Sequence, residues 1–240
     1  MFLSIAADAA GQIRRVHALL SLQSLVVVLL SINRLGEMTT GYVAPNQFLR
    51  WVDLLNMLIL PVISVLVAMG LRAVTRGSAL PRIGDRVLSV VFVLGVYLLG
   101  AGYGSHEVTN YLHGRFCASG VDQLCAIIAY HDDEFSHWVF FSGFILINLA
   151  VLFLVPLHPA TRPAVGWHVP ALLGNGIVFG LAIFANLSFE PIGLDLYVVA
   201  AVAVAALVLW WRRRREPLLI YYAVVYWFGL LSTAVYTRVF

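Results

Sequence analysis

Seven long apolar runs are the feature that most constrains the fold of this chain of 240 residues. A helix needs about 20 mostly apolar residues to cross roughly 30 Å of hydrocarbon. Inside lipid every backbone N–H and C=O must be paired within the segment, so runs of this length form helices. The sequence predicts an all-α helical bundle, a single transmembrane domain over residues 1–240 with seven spans. The predicted spans are 16–32, 54–74, 87–112, 135–157, 169–188, 194–211 and 217–236.

The composition excludes several other classes of protein. Hydrophobic residues make up 61% of the chain and charged residues only 11%, whereas an ordinary soluble domain carries about 25% charged residues. Disordered chains and nucleic-acid binders also need far more charge. We therefore expect membrane lipids as partners and no nucleic acid. All 15 basic side chains are arginine, so the chain has no lysine that could hold retinal through a Schiff base.

The arginines predict the orientation of the bundle, because cytoplasmic loops of membrane proteins carry an excess of basic residues. If the spans alternate, eleven arginines lie on one side and four on the other. This bias predicts a cytoplasmic N-terminus and an external C-terminus, in a bacterial inner membrane. The larger group consists of Arg14, Arg15, Arg72, Arg76, Arg82, Arg86, Arg162 and the run from Arg212 to Arg215, and the smaller group of Arg34, Arg50, Arg115 and Arg238.

The two cysteines, Cys117 and Cys125, lie in the predicted loop between the third and fourth spans. The predicted topology places that loop outside the cell, where disulfides form and persist. We therefore predict a disulfide that closes a small ring in the loop. Metal ligation and redox chemistry are the alternatives, although a redox pair is more often spaced C-x-x-C.

The segment 104–137 holds the densest group of ionisable residues, with four of the seven histidines. Ionisable groups near a bilayer cost a few kcal/mol each unless they are paired or hydrated, so such a group indicates a functional site. At about 100° per residue, His106, Asn110 and His113 share one face of the third span. Glu107 points about 100° away from His106. At the predicted start of the fourth span, one face carries Asp133, Glu134 and His137.

Imidazole nitrogens and carboxylate oxygens from two neighbouring helices are the ligands that zinc prefers, and iron or copper also accept them. The predicted metal ligands are His106, His113 and His137, with Asp133 as a fourth ligand or as their hydrogen-bond partner. Glu134 or Glu107 is the predicted general base. The first function hypothesis is thus a zinc-dependent hydrolase whose metal-activated water attacks a lipid or another amphiphile. Metal-dependent oxidation with iron or copper is the second reaction.

Structural roles for the same residues remain alternatives. The acidic residues from Asp132 to Glu134 suit a helix N-terminus, and His131 and His137 suit the membrane interface. The histidines of the third span suit hydrogen bonds between helices. Two further function hypotheses follow, an accessory or assembly subunit of a larger membrane complex or homo-oligomer, and a small transporter. Few ionisable residues lie at mid-span, which disfavours the transporter.

Small and amide residues within the spans predict close helix packing. Asn56, Asn175 and Asn186 are predicted to form hydrogen bonds between helices. Gly176 and Gly180 form a G-x-x-x-G pair, which allows two helices to approach closely. That contact lies either within the bundle or at a dimer face.

Two local strings resemble elements of known membrane families. The string GYGSHEVTNYLH resembles the G-x-G-S-x-x-x-H stretch of the alkaline ceramidases, but Thr109 stands where that stretch has its histidine. The last span also lacks the H-x-x-x-H pair of that superfamily. The string DDEFSHWVFF resembles the D-x-x-x-H-F element of small VanZ-like proteins, with Trp138 in place of the phenylalanine. These departures leave the chain without a family assignment from sequence.

Overall fold

The computed structural model describes residues 2–33, 37–77, 80, 82–117, 122–160, 163–189 and 192–239, with side chains from residue 11 onward except 37 and 38. Arg34 and Arg162 lie outside these described residues. The described part contains no β-strand and seven helices that are long and apolar enough to cross a membrane. Spans one to seven are Gly11–Ile32, Trp51–Arg76, Ile83–Phe116, Gln123–Leu157, His168–Phe189, Asp195–Arg212 and Pro217–Val239. The prediction of an all-α bundle with seven spans is confirmed.

The fourth span starts twelve residues before its predicted beginning at residue 135. Asp122 accounts for this early start, because its Oδ1 accepts the backbone N–H of Cys125 at 2.7 Å and so caps the helix. The acidic residues from Asp132 to Glu134 consequently lie inside the span. They are not its N-terminal cap, as one alternative interpretation had them.

Spans three and four pack backbone against backbone through glycines. A Cβ atom added at Gly102 would lie 2.5 Å from the backbone nitrogen of Phe140. A Cβ at Gly143 would overlap the backbone of Leu99. Because neither position tolerates a side chain, the two helices approach more closely here than ordinary side chains allow. This contact fixes the register of the polar residues at one end of spans three and four.

Among the remaining spans, span seven packs against spans five and six, and span one packs against spans two and five. Gly176 and Gly180 of span five both face span seven, where added Cβ atoms would lie 2.9 Å from Val224 Cγ1 and from the carbonyl oxygen of Val225. The glycine pair is thus used for packing within the bundle. Span one joins span five through Ser24, whose hydroxyl donates to Asn175 Oδ1 at 2.7 Å.

The two ends of the bundle differ in their polar residues, and we name them the disulfide end, with Cys117 and Cys125, and the arginine end, with the run from Arg212 to Arg215. At the arginine end His158 Nε2 lies 2.8 Å from Asp85 Oδ1. His17 Nε2 lies 2.9 Å from His168 Nδ1 at the same end. Asp85 and the histidines near residue 106 are separated by about 30 Å of helix at 1.5 Å per residue. These three histidines therefore cannot join the polar group at the disulfide end.

Candidate functional site

The carboxylate of Asp132 lies at the centre of the polar group at the disulfide end. Its side chain, only 3% exposed, comes from span four and meets three residues of span three. His113 Nδ1 lies 3.0 Å and Asn110 Nδ2 lies 3.4 Å from Asp132 Oδ2. His106 Nδ1 lies 3.1 Å from Asp132 Oδ1. The three residues that the sequence placed on one face of span three thus converge on one acid.

A turn of π-helix, Tyr130–Phe135, brings Asp132 into this position. Its backbone hydrogen bonds run from residue i to i+5, so the turn holds one residue more than an α-helical turn. Ser136 strengthens it, since its hydroxyl donates to the carbonyl of Asp132 at 2.6 Å. The angle of 100° per residue assumed for the sequence therefore does not apply here. As a result the residue buried against span three is Asp132, and its neighbour Asp133 is exposed.

The two carboxylate oxygens of Asp132 have different surroundings. Oδ2 accepts hydrogen bonds from His113 and Asn110. Oδ1 is buried and accepts no hydrogen bond from the described residues, because its contact with His106 lacks hydrogen-bond geometry. An ionised carboxylate can only accept, so the proton between Asp132 and His113 belongs to His113 Nδ1. For His113 and Asp132 to hold one ion together, the ion would take the place of this proton between them.

Asp133 completes a group that is able to hold a cation. One ligand atom from each of His113, Asp132 and Asp133 can be chosen so that all three lie within 4.8 Å of one another. Of the predicted ligands, the structure brings His113 and Asp133 into this group and sets His106 against Asp132. His137, which was also predicted as a ligand, lies beside His106, with the two ring centroids 5.0 Å apart.

The predicted general bases occupy two different positions. Glu134 follows Asp133 on the exposed side of the π-turn and makes no side-chain hydrogen bond or ion pair with the part of the chain that the structure describes. Glu107 is only 1% exposed and faces span two, where Asn56 Nδ2 donates to its Oε1 at 3.2 Å. Glu107 is therefore separated from Asp132 by the width of span three.

A second π-turn, Leu55–Ile59 in span two, carries Asn56. It ends two residues before Pro61, which lacks an N–H and whose ring crowds the carbonyl four residues earlier, so regular α-helical bonding is lost there. Asn56 Oδ1 accepts a hydrogen bond from Asn33 Nδ2 at 2.5 Å. Asn56 thus joins the end of span one to the buried Glu107, as the prediction of a hydrogen bond between helices required.

Arg50 lies between the polar residues around Glu107 on one side of span three and those around Asp132 on the other. Its guanidinium binds Asp53 through two nitrogens, at 2.7 Å to Oδ1 and 2.9 Å to Oδ2. The hydrogen bond to Asp53 raises the pKa of Arg50. Arg50 Nη2 also lies 3.4 Å from the side-chain oxygen of Asn110. Asn110 therefore contacts Arg50 on one side and Asp132 on the other.

A cavity of about 300 Å³ opens beside Glu107 at the disulfide end. Its polar lining comes from Asp53, Glu107, Tyr111 and Arg115, and the rest of its wall is largely apolar. Apolar walls with a few convergent polar groups are typical of small-molecule sites. The apolar lining comes from Phe48, Leu49, Met57, Val108, Leu112 and Phe116.

The cysteines lie at disulfide-bonding distance where spans three and four meet. The Sγ atoms of Cys117 and Cys125 are 2.14 Å apart and their Cα atoms 5.4 Å apart. The disulfide links the residue that follows span three to the first turn of span four. It therefore ties together the two helices that supply His106, His113 and Asp132.

The sequence alone did not single out Asp132, Asn56 or Arg50 as members of this site. In the sequence Asp132 is one of three consecutive acidic residues, and only the π-turn determines that it, and not the other two, is buried. Pro61 is the sequence signal for the distortion of span two that carries Asn56. Comparison with protein-family models, curated proteins and solved structures gives no match for this chain, so the functional argument rests on the site itself.

Proposed function

We propose that this membrane protein binds a divalent transition-metal ion through His113, Asp132 and Asp133 and uses it to hydrolyse a lipid or another amphiphile. One observation carries the proposal, namely the buried Oδ1 of Asp132, which accepts no hydrogen bond from the described residues. A buried carboxylate oxygen without a donor is costly. A metal ion at this oxygen would supply the coordination that the 3.1 Å contact with His106 does not provide as a hydrogen bond.

The donor set suits zinc first and iron or copper second. One imidazole and two carboxylates match the mixed nitrogen and oxygen ligands of catalytic zinc sites, which leave one position for water. His106, 3.1 Å from Asp132 Oδ1, is our candidate for a fourth ligand or for the group that orients Asp132. The ligands come from two helices held together by glycine contacts and a disulfide, so the site has the rigid support that metal centres require.

The chemistry divides between the metal and the side chains around it. A bound zinc ion supplies a Lewis acid and lowers the pKa of a coordinated water to about 7. In the metal-free chain Asp132 accepts the hydrogen bond of His113 Nδ1, and an ion held by both residues would replace that proton. The exposed Glu134 is the nearest acid along the chain that neither pairs with a described residue nor joins the ligand group, so it is our first choice for the general base.

The cavity beside Glu107 supports an amphiphilic substrate. Its apolar wall suits a hydrocarbon chain, and Arg115 and the two carboxylates suit a polar head group. The turn of span three from His106 to Asn110 contacts Asp132 on one side and supplies Glu107 to the cavity on the other. We place this end on the external side of a bacterial inner membrane, where the distribution of arginines predicts it and where a disulfide persists.

The test uses the full chain, loaded with zinc and reconstituted into liposomes that contain phospholipids and sphingolipids. Mass spectrometry of the lipids is expected to show products with water added across an ester or amide bond. Asp133→Asn and His113→Ala should abolish these products. His131→Ala is the matched control, because His131 lies in the same π-turn but its ring packs against Tyr130 and Phe135, outside the ligand group.

Two results would decide against hydrolysis. A chain that holds zinc at one ion per molecule but releases no product from any lipid class is not a hydrolase of these lipids. Oxygen consumption by an iron-loaded or copper-loaded chain, lost in His113→Ala, would instead favour oxidation.

A further inference from the structure

A groove at the arginine end lies between spans two and three. Its volume is about 470 Å³, and its walls come from Met69 of span two, Val93 of span three and Leu154 of span four, among other apolar residues. Arg72, Arg76 and Ser89 also line it. The groove therefore combines an apolar surface at membrane depth with two guanidinium groups at one end of the helices.

The two arginines carry more positive charge than the single nearby acid, Asp85, balances. They are one helical turn apart, so they lie on the same face of span two and repel each other. Within the described residues neither forms an ion pair with an acid, and the Nε of Arg72 is buried without a hydrogen-bond partner. The nearby acid Asp85 acts on them only at a distance, since its Oδ1 contacts His158 and its Oδ2 accepts the backbone N–H of Arg82 at 2.7 Å.

The side chain of Arg72 is held in place by span three. Its Nη2 donates to the hydroxyl of Ser89 at 2.7 Å, and its guanidinium lies over the ring of Phe92 at 4.4 Å from the centroid. An arginine fixed in this way presents its remaining N–H groups without losing further side-chain entropy when an anion binds. The exposed Arg76 adds a second positive charge one turn away.

We propose that this groove binds one anionic phospholipid, with its phosphate at Arg72 and Arg76 and an acyl chain along Met69 and Val93. Charge complementarity selects an anionic head group, and the apolar walls select a molecule with a hydrocarbon chain over a free anion. The predicted orientation places this end at the cytoplasmic leaflet, where anionic lipids attract basic residues. The site is independent of the metal group at the opposite end.

Native mass spectrometry of the full chain tests this proposal, with phosphatidylglycerol and phosphatidylcholine of identical acyl chains at equal concentration. We expect about tenfold greater retention of phosphatidylglycerol, as two arginine contacts imply. The double variant Arg72→Gln/Arg76→Gln should reduce its retention to that of phosphatidylcholine. Arg86→Gln is the matched control, an exposed arginine at the same end that does not line the groove.

A second variant keeps the test decisive if loss of Arg72 impairs folding. Val93→Trp fills the groove and leaves both arginines in place, and Val93 is 65% exposed, so the bundle tolerates the change. It should lower phosphatidylglycerol retention as well, and inorganic phosphate should not compete. Equal retention of the two lipids by the unchanged chain would overturn the proposal. Unchanged retention in Val93→Trp together with competition by phosphate would make the site one for a free anion, and the lipid assignment would be wrong.

Discussion

His113 Nδ1 lies 3.0 Å from Asp132 Oδ2, so an imidazole of span three and a carboxylate of span four meet inside the disulfide end of the bundle. The contact exists because a π-turn directs Asp132 inward and because glycines let the two helices approach closely. The other oxygen of the same carboxylate lies 3.1 Å from His106 Nδ1, and it is the atom at which we propose the metal ion. Sequence, helix packing and proposed chemistry are thus connected through one residue.

Asp132→Asn tests the structural importance of this contact. The amide keeps the shape of the side chain but places a donor where a carboxylate oxygen accepted, so one of its polar contacts is lost. A buried polar group left without a partner costs about 1–3 kcal/mol, and we expect that loss in the free energy of unfolding of the metal-free chain in detergent. Asp133→Asn, at an exposed position, should change the stability far less. Equal effects of the two variants would contradict the central position of Asp132.

Gly143→Ala tests the close approach of spans three and four. The added methyl group would overlap the backbone of Leu99, and overpacking of this kind costs about 1–3 kcal/mol. Thermal unfolding in detergent measures the loss, and zinc titration should show weaker binding because the ligands come from both helices. Gly104→Ala is the control, since a Cβ there meets nothing within 4 Å. A stable Gly143→Ala variant with unaltered zinc affinity would show that the helices can separate without harm.

Asn56→Ala removes a hydrogen-bond donor from the buried Glu107. We expect a loss of about 1–3 kcal/mol in the free energy of unfolding, because the carboxylate keeps its burial and loses a donor. In a Glu107→Leu background the same substitution should cost clearly less, which a double-mutant cycle measures. Additive effects of the two substitutions would mean that the contact between Asn56 and Glu107 contributes nothing to stability.

Glu216, between spans six and seven, predicts a dependence of stability on pH. Burial raises its pKa above the ordinary value of 4.5, although both oxygens accept the N–H of Ala160 at 3.1 Å. The folded chain therefore binds this proton more tightly than the unfolded chain does. The resulting stability is present below pH 4.5 and is lost as the pH rises through the pKa of the folded chain.

The difference in melting temperature between the unchanged chain and Glu216→Gln isolates this contribution. As the pH rises from 4 to 7, the melting temperature of the unchanged chain should fall relative to that of Glu216→Gln, because the glutamine cannot ionise. Glu134→Gln, at an exposed position, serves as the control for a glutamate substitution elsewhere in the chain. A flat difference for Glu216→Gln would mean that burial does not raise the pKa of Glu216.

Much of the fold could be predicted from the sequence because lipid imposes few solutions. Apolar runs of sufficient length must be helices, and all seven spans were found for that reason. The shared face of His106, Asn110 and His113 also followed, since span three is a regular α-helix throughout. G-x-x-x-G packing and the amide contacts between helices depend on local residue types, and the sequence shows these directly.

The composition of the site was harder to predict for a geometric reason. A π-turn alters the angle per residue, and nothing in the run His131–Asp132–Asp133–Glu134 indicates which acid turns inward. The early start of span four was missed because its first residues follow Cys117 and Asp122 closely, and that whole segment was assigned to a loop from the sequence. The contact of Asn56 with Glu107 depends on how spans two and three pack, which the spacing within one helix does not reveal.

Metal content tests the central claim most directly. The chain should be extracted in mild detergent without chelators and its metals measured by mass spectrometry, followed by titration of any metal-free protein with zinc. The account predicts close to one zinc, iron or copper ion per chain, lost in a His113→Ala/Asp132→Ala variant and retained in His131→Ala. A chain that carries no such ion and binds no added zinc would contradict the account, and Asp132 would then serve only to join spans three and four.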